Sequence, residues 1–362
     1  MSAAWNKVIV CTMKNEGPYL LEWIAYHRVI GFDGFLIASN DCSDGTNLML
    51  NRLDTLGIVR HFDNPQGPNM DPQRSAYGKV KNSGALDTAE WALVIDADEF
   101  LAVKCGDQTV DALIAACPRA DAISVNWKMF GSDGQRDFDP DQLVIERFRQ
   151  GSTDDTPENG LVWGFKTLFR PEAFEYMGVH RPRFYKHKPI PDPGTVRWYN
   201  GSGHDVGSRY YEKGWRSNPE TVGYALAQVN HYAIKSREDF LLKRLRGTAN
   251  SKNKDRINPS YWRKYDLNAT HDATIPSAGV RDEMQRLLAD PDLAVLYRAS
   301  LDSARRTLAD QKTDPVWAKF VEDGSFPEGA VDKPKKQPKR KAAPAPAPIP
   351  PAAKIAKSEA AE

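Results

Sequence analysis

Lys7-Val-Ile-Val-Cys-Thr-Met-Lys-Asn-Glu-Gly-Pro18 sets a strand, a polar loop and a helix start side by side. Val8, Ile9 and Val10 form a short β-branched apolar run of the kind buried on both faces of a sheet. Asn15-Glu16-Gly17 breaks it, and Pro18 suits the first helical turn, where a missing N–H is tolerated. Leu20, Trp23, Ile24 and His27 then recur at i, i+3, i+4, i+7, with Ile30 one turn on, so one helix face is expected to pack inward. Gly31 ends that helix. Gly34–Ser39 reads as a second strand and Asn40 to Gly45 as the loop after it. A helix over about 46–56, a strand over Ile58–Phe62 and a helix over Pro72–Leu86 follow. A fourth strand, Trp91–Ile95, runs into Asp96-Ala97-Asp98-Glu99-Phe100. Strands alternating with helices predict a mostly parallel sheet covered on both faces. Ligands of such sheets sit outside the carboxyl ends of the strands. Three polar loops share that edge: Lys14 to Glu16, Asp41 to Thr46, and Asp96 to Glu99.

From about residue 120 the pattern changes. Ile123–Phe130, Leu143–Phe148, Leu161–Phe169 and Val196–Tyr199 read as strands between Gly-, Asp- and Pro-rich loops, and Ala227–Ile234 as the last strand. Ser236 is a good helix N-cap with Asp239 three positions on. Phe240, Leu241, Leu242 and Leu245 give that helix its apolar side, and Lys243, Arg244 and Arg246 lie near its C-terminus, where cations are favoured. Further helices are expected through Gln285–Leu288 and Leu293–Leu308. There is no internal repeat.

The 362 residues carry 49 Lys+Arg against 48 Asp+Glu, a formal charge of +1, with 41% hydrophobic residues. That is the balance of a globular chain and not of a general nucleic-acid binder. The balance is a cancellation, because residues 333–362 hold eight basic and two acidic side chains. This Lys/Pro/Ala-rich tail is expected to be disordered, either as a solubilising end or as a peripheral contact for anionic headgroups. Cys11, Cys42, Cys105 and Cys117 show no paired spacing, so reduced thiols are expected rather than a zinc or redox site. No stretch reaches the roughly 18 apolar residues of a spanning helix. A cytoplasmic protein is expected, with the inner face of the membrane as an alternative through the tail.

Asp96-Ala97-Asp98 is the sharpest chemical signal. In an extended segment, side chains at i and i+2 point to one side about 7 Å apart. Two carboxylates so placed suit one hard divalent ion, Mg²⁺ or Mn²⁺, shared with a diphosphate ligand. Asp41 or Asp44 could accept hydrogen bonds from a uracil or ribose, or simply cap the next helix. The loop Thr12 to Glu16 is a weaker signal by itself, since Asn15 or Glu16 can simply cap the next helix.

The run Val8 to Gly31, the loop Asn40-Asp-Cys-Ser-Asp-Gly-Thr46 and the box Ile95-Asp-Ala-Asp-Glu-Phe-Leu101 together resemble a glycosyltransferase family 2-like group. Trp127-Lys-Met-Phe-Gly-Ser-Asp-Gly134, Asn230-His-Tyr-Ala-Ile-Lys-Ser236 and Lys243 to Gly247 resemble its later motifs. The resemblance covers roughly residues 7–250. It implies a GT-A fold: a Rossmann-like, mostly parallel nucleotide-binding sheet merged with an acceptor-side mixed β region and C-terminal helices. The corresponding divisions are 1–120 (donor half), 121–250 (acceptor half), 251–332 (helical extension) and 333–362 (tail). By this resemblance Thr12, Asn15 and Glu16 line a nucleotide pocket, and Asp44 or Asp41 meets the uracil. Asp96 faces the ribose or a metal-bound water, and Asp98 ligates Mn²⁺ or Mg²⁺. His231 completes the metal shell or, alternatively, is a core histidine. Arg74 and Lys79 face the diphosphate or are a solvated helix face. His180 and His204 have weaker claims, and His27 reads as structural. The general base is expected from the acceptor half, Asp133 first and Asp205 second, although no clear Glu-Asp pair is present. Of Trp127, Trp163, Trp198 and Trp215, one or two are expected to stack on acceptor sugars.

The function implied is metal-dependent transfer of a sugar, with inversion, from a nucleotide-sugar, a UDP-sugar by preference. The acceptor would be a carbohydrate or glycolipid, in surface polysaccharide or glycoconjugate synthesis, and no nucleic-acid partner is expected. A sugar-phosphate nucleotidyltransferase is the first rival, but such enzymes usually open with a Gly-rich phosphate loop, and residues 11–18 hold one glycine. A non-catalytic nucleotide- or carbohydrate-binding relative is the second.

Overall fold

The computed structural model describes residues 5–65, 71–154, 163–184, 189–246 and 257–326. The expected basic tail, Gly247, and the first two residues of the expected strand Leu161–Phe169 lie outside the described residues. In chain order the elements are β1 (Lys7–Met13), α1 (Gly17–Val29), β2 (Gly34–Ser39), α2 (Thr46–Thr55), β3 (Arg60–Asp63), α3 (Pro72–Asn82) and β4 (Trp91–Val94). Then come β5 (Glu99–Val103), α4 (Val110–Ala116), β6 (Ala122–Met129), α5 (Val144–Arg147), β7 (Gln150–Gly151), β8 (Phe165–Phe169), β9 (Trp198–Asn200) and β10 (Ala227–His231). The last are α6 (Arg237–Arg246), α7 (Pro259–Tyr265), β11 (Thr270–His271), α8 (Val280–Leu288), α9 (Pro291–Gln311) and α10 (Pro315–Asp323).

Nine strands form one sheet in the order β3-β2-β1-β4-β8-β6-β10-β5, with β9 added on β6. The β3-β2-β1-β4 half is parallel throughout, as the alternating pattern predicts. β8 pairs antiparallel with both β4 and β6 and so joins that half to a mixed region. Alternation along β1 shows how both faces are covered. Ile9, Cys11 and Met13 enter one core with α1 and α2, whereas Val8 and Val10 enter another with Ala76, Tyr77 and Val80 of α3. The result is a mixed α/β architecture with helices on both faces. Among the described residues no helix is long and apolar enough to cross a membrane.

Two readings need correction. The apolar run Leu143–Phe148 is not a strand but contains the short helix α5. The Glu22 carboxylate accepts the N–H groups of Val144 (2.9 Å) and Ile145 (3.2 Å), satisfying donors that a helix start leaves open. The helix α1 does not bury only one face: Leu20 through His27 are all buried. Leu287, Leu293 and Tyr297 of α8 and α9 share its core, so its outer side is covered by chain far downstream. His27 is structural, as expected. Its Nδ1 lies 2.8 Å from the Trp23 carbonyl, its ring stacks on Phe100, and burial lowers its pKa to about 3.

Burial also raises the Glu22 carboxyl from 4.5 to about 7, against the pull of its two backbone donors. Between those pH values the native state holds a proton that the unfolded chain has lost. Stability should therefore fall as pH rises from about 4.5 to 7 and level off above, by roughly 3 kcal/mol for this group. Urea unfolding midpoints across that window should show the slope, and Glu22→Gln should reduce it. An unchanged slope in the variant would refute the assignment.

Candidate active site

Asp96-Ala97-Asp98 is not extended. Glu99 donates its N–H to the Asp96 carbonyl at 3.1 Å, closing a tight turn between β4 and β5. β5, which sequence pattern missed, then pairs antiparallel with β10, setting Glu99 opposite His231. The turn sends the two aspartates to different partners, instead of aiming both at one point. Asp96 receives Lys166 Nζ at 3.0 Å and Gln73 Nε2 at 3.4 Å. Asp98 receives Lys243 Nζ at 2.7 Å on Oδ2, while Oδ1 lies 3.6 Å from His231 Nε2.

Lysines therefore offset these carboxylates. Lys166, fully buried on β8, also lies 3.2 Å from Glu99, which is equally buried. Burial drives the Glu99 carboxyl up to about 7 despite the lysine, and the same two carboxylates hold Lys166 above its usual range although burial opposes its charge. Burial also opposes ionisation of Asp98, yet Lys243 and His231 keep its carboxyl well below the usual range. Glu16 forms an ion pair with Arg246, one turn beyond Lys243 on α6. Lys235, buried with a left-handed backbone, places its ammonium 4.2 Å from the Tyr19 ring. Four carboxylates (Glu16, Asp96, Asp98, Glu99) thus meet three cations (Lys166, Lys243, Arg246) at one end of the sheet, with Lys235 nearby over Tyr19.

The first two loops interlock beside this cluster. Asn15 and Asp41 have left-handed backbones, and Asn15 bonds Ser43 through both side-chain ends, at 2.8 Å and 3.1 Å. Asp44 spends its carboxylate on helix starts: Oδ2 accepts Gly17 N–H at 2.9 Å, and Oδ1 accepts Thr46 N–H at 3.0 Å and Thr46 Oγ1–H at 2.6 Å. The capping alternative is what the geometry realises at Asp44, which leaves exposed Asp41 as the freer carboxylate of the loop. Thr12 Oγ1 and Glu16 Oε2 are buried without a hydrogen-bond partner among the described residues.

Of the other candidates, Asp133 follows β6 at this end of the sheet and Asp205 does not reach it. Arg74 and Lys79 are exposed on α3, and Lys79 Nζ donates to the Asp63 carbonyl at 2.5 Å; the residue that α3 delivers to Asp96 is Gln73. Asp133 has a left-handed backbone, and its N–H donates to Asn268 Oδ1 at 2.9 Å. Its carboxylate has no hydrogen-bond or ion-pair partner among the described residues. Asp205 bridges to Tyr199, which is level with Ile123 on β6, whereas His231 is level with Met129. Six residues of strand put Asp205 roughly 20 Å from the level of His231. The structure does not bring Asp205 to this end, and His204 is exposed on the same hairpin.

Trp198 is core, its Nε1 donating to Ser124 Oγ at 2.7 Å, and Trp163 donates to the Asp154 carbonyl. Trp127 lies 5.1 Å from the His231 ring and 5.3 Å from that of His180, which stacks on Trp215 at 4.8 Å. Burial, helped by the charge of Lys166, lowers the His180 pKa to about 3, so this ring is neutral. The roles of Lys166, Glu99, Gln73 and Arg246 are not legible in the sequence, where His180 has only a weaker claim. A signal existed for the first: a lysine inside Phe165-Lys-Thr-Leu-Phe169 must find a carboxylate if the strand is buried.

The chain belongs to glycosyltransferase family 92, whose model matches residues 6–241. A family 92 protein of Oryza sativa subsp. japonica is 30% identical over 136 residues, 36% of this chain and 22% of that protein. One of Ricinus communis is 29% identical over 111 residues, 30% of this chain and 19% of that protein. The aligned chain spans about a fifth of the length of these curated relatives. The crystal structure of S. aureus TarS 1-349 matches at 13% identity and a TM-score of 0.29, over 89% of this chain and 92% of that one. At that score nothing about this chain follows from it. Family 92 replaces the family 2-like group to which the order of motifs pointed, while the broader class, a glycosyltransferase relative, stands.

Proposed function

We propose that the protein is a glycosyltransferase that moves a sugar from a nucleoside diphosphate donor, by preference a UDP-sugar, to a carbohydrate acceptor. The observation that carries this is the convergence of Asp98 and His231, 3.6 Å apart, at the carboxyl end of the parallel strands in a family 92 chain. One carboxylate oxygen and one imidazole nitrogen form a donor pair for Mn²⁺, whereas Mg²⁺ would rest on the carboxylate; both ions share substrate phosphates. No group of three such side chains exists among the described residues, so the diphosphate would complete the shell. Lys243 on Asp98 and Arg246 on Glu16 support the same reading, since they put cations beside the two loops that an entering diphosphate would approach. Bound there, the ion would offset charge on the departing diphosphate.

Thr12, Asn15 and Asp41 would border the nucleotide, with Glu16 held to Arg246 beside it and Asp96 held toward its ribose side by Lys166. Trp127 and Trp215 would offer ring faces to a sugar. Asp133 is the base we propose for an inverting transfer, since its carboxylate is unengaged and its loop follows β6 at the same sheet end. The test is equilibrium binding of UDP with Mn²⁺ or EDTA, together with hydrolysis of a panel of UDP-sugars. Metal-dependent UDP binding and release of free sugar are expected. No UDP binding with any divalent ion would overturn the proposal, and consumption of nucleoside triphosphate with sugar phosphate would replace it by the nucleotidyltransferase.

A further inference from the structure

The helix α6 crosses the candidate donor site with one face turned toward it. Asp239, Lys243 and Arg246 recur at i, i+4 and i+7, so they share that face. Asp239 anchors it: its Oδ1 accepts the Tyr19 hydroxyl at 2.6 Å, and its Oδ2 accepts the Ser236 N–H and hydroxyl that begin the helix. The other two residues present cations. Lys243 Nζ donates to Asp98 Oδ2 at 2.7 Å and to the Ala233 carbonyl, and Arg246 pairs with Glu16. Lys243 and Arg246 are about 4.5 Å apart along the helix axis. Both side chains are largely buried, at 10% and 13% exposed.

We propose that Lys243 and Arg246 are the diphosphate-binding residues of the donor site, with Asp98 and Glu16 holding their place until a nucleoside diphosphate arrives. This rests on the donor reading above and extends it to named residues. Three observations favour a ligand role over a purely structural pair of salt bridges. Both carboxylate partners belong to the two loops, after β1 and after β4, that face the proposed donor. Neither carboxylate is used up by its cation: Glu16 Oε2 is buried and unpartnered, and Asp98 Oδ1 looks at His231. Thr12 Oγ1 and His231 Nδ1, both at least nine-tenths buried, also lack partners among the described residues, so the cations border a region with unmet polar demand. A diphosphate offers more acceptor oxygens than a carboxylate, and a guanidinium fork fits two of them at once. Once Asp98 turns to a divalent ion, Lys243 is free to follow the phosphate.

The test compares UDP, UMP and uridine binding to the full chain and to Lys243→Ala and Arg246→Ala, with Mn²⁺ and with EDTA. Each substitution should weaken UDP about 10- to 100-fold while changing uridine little, so the UDP-to-UMP preference collapses. Should either variant fold poorly, Glu16→Gln removes the competing carboxylate without touching the cations and should tighten UDP several-fold. Wild-type binding of UDP with an unchanged UDP-to-UMP preference in the variants, or with unchanged affinity in Glu16→Gln, would overturn this proposal alone. Failure of the wild type to bind UDP would overturn the donor reading as well.

Discussion

Lys166→Met is expected to destabilise the protein by about 3–5 kcal/mol, the range for removing one partner from a buried ion cluster. Methionine fills most of the volume of the lysine stem, so packing changes little and the loss is electrostatic. Lys166 is fully buried and lies 3.0 Å from Asp96 and 3.2 Å from Glu99. Asp96, a third exposed, can turn to water, but Glu99 cannot. Without the lysine, Glu99 must remain protonated to stay buried, and since its carboxyl is already raised to about 7, the penalty should grow above that pH. The double variant Lys166→Met with Glu99→Gln should recover much of the loss, because the two changes act on one interaction and are not additive. Urea unfolding at pH 6 and pH 8 measures both effects. A loss under 1 kcal/mol, equal at both pH values, would mean that the cluster is not what stabilises this end of the sheet.

The parts of the fold that were legible are those where local pattern and tertiary demand agree. β1 and β2 form around the apolar runs Val8–Cys11 and Phe35–Ala38, which are buried on both faces and so stand out from the polar loops that follow them. The start of α6 was legible because Ser236 and Asp239 satisfy each other's backbone N–H groups within four residues. What was hidden depends on distant chain. Leu143–Phe148 reads as a strand until Glu22, on another helix, caps it. The full burial of α1 depends on α8 and α9, more than 250 residues away. The acidic turn was legible as a feature but not in its geometry. Its turn follows from β5 crossing to pair with β10, which no spacing near residue 96 announces, and that turn gives Asp96 and Asp98 separate cations. Lys243 and Arg246 were visible as helix C-terminal charges, yet their partners, Asp98 and Glu16, lie 145 and 230 positions away.

That separation leads to the other large effect expected. Asp98→Asn should lower donor hydrolysis and transfer by about 10³-fold or more, corresponding to several kcal/mol of lost charge stabilisation. Asparagine keeps the shape and one acceptor oxygen but removes the charge that faces both His231 and Lys243. Divalent-ion affinity should fall with activity, which Mn²⁺ titration measures independently of turnover. Asp96→Asn should behave differently. Its carboxylate is turned to Lys166 and Gln73, so its loss should act on stability and on donor binding before it acts on the ion. Mn²⁺ affinity close to that of the wild type is the expected result for Asp96→Asn. If the two variants lost Mn²⁺ affinity equally, both carboxylates would have to meet the ion, and the tight turn between β4 and β5 would have to open when the donor binds. If neither lost it, His231 and Asp98 would not be the ion's ligands, and the diphosphate would be held by the cations of α6 alone.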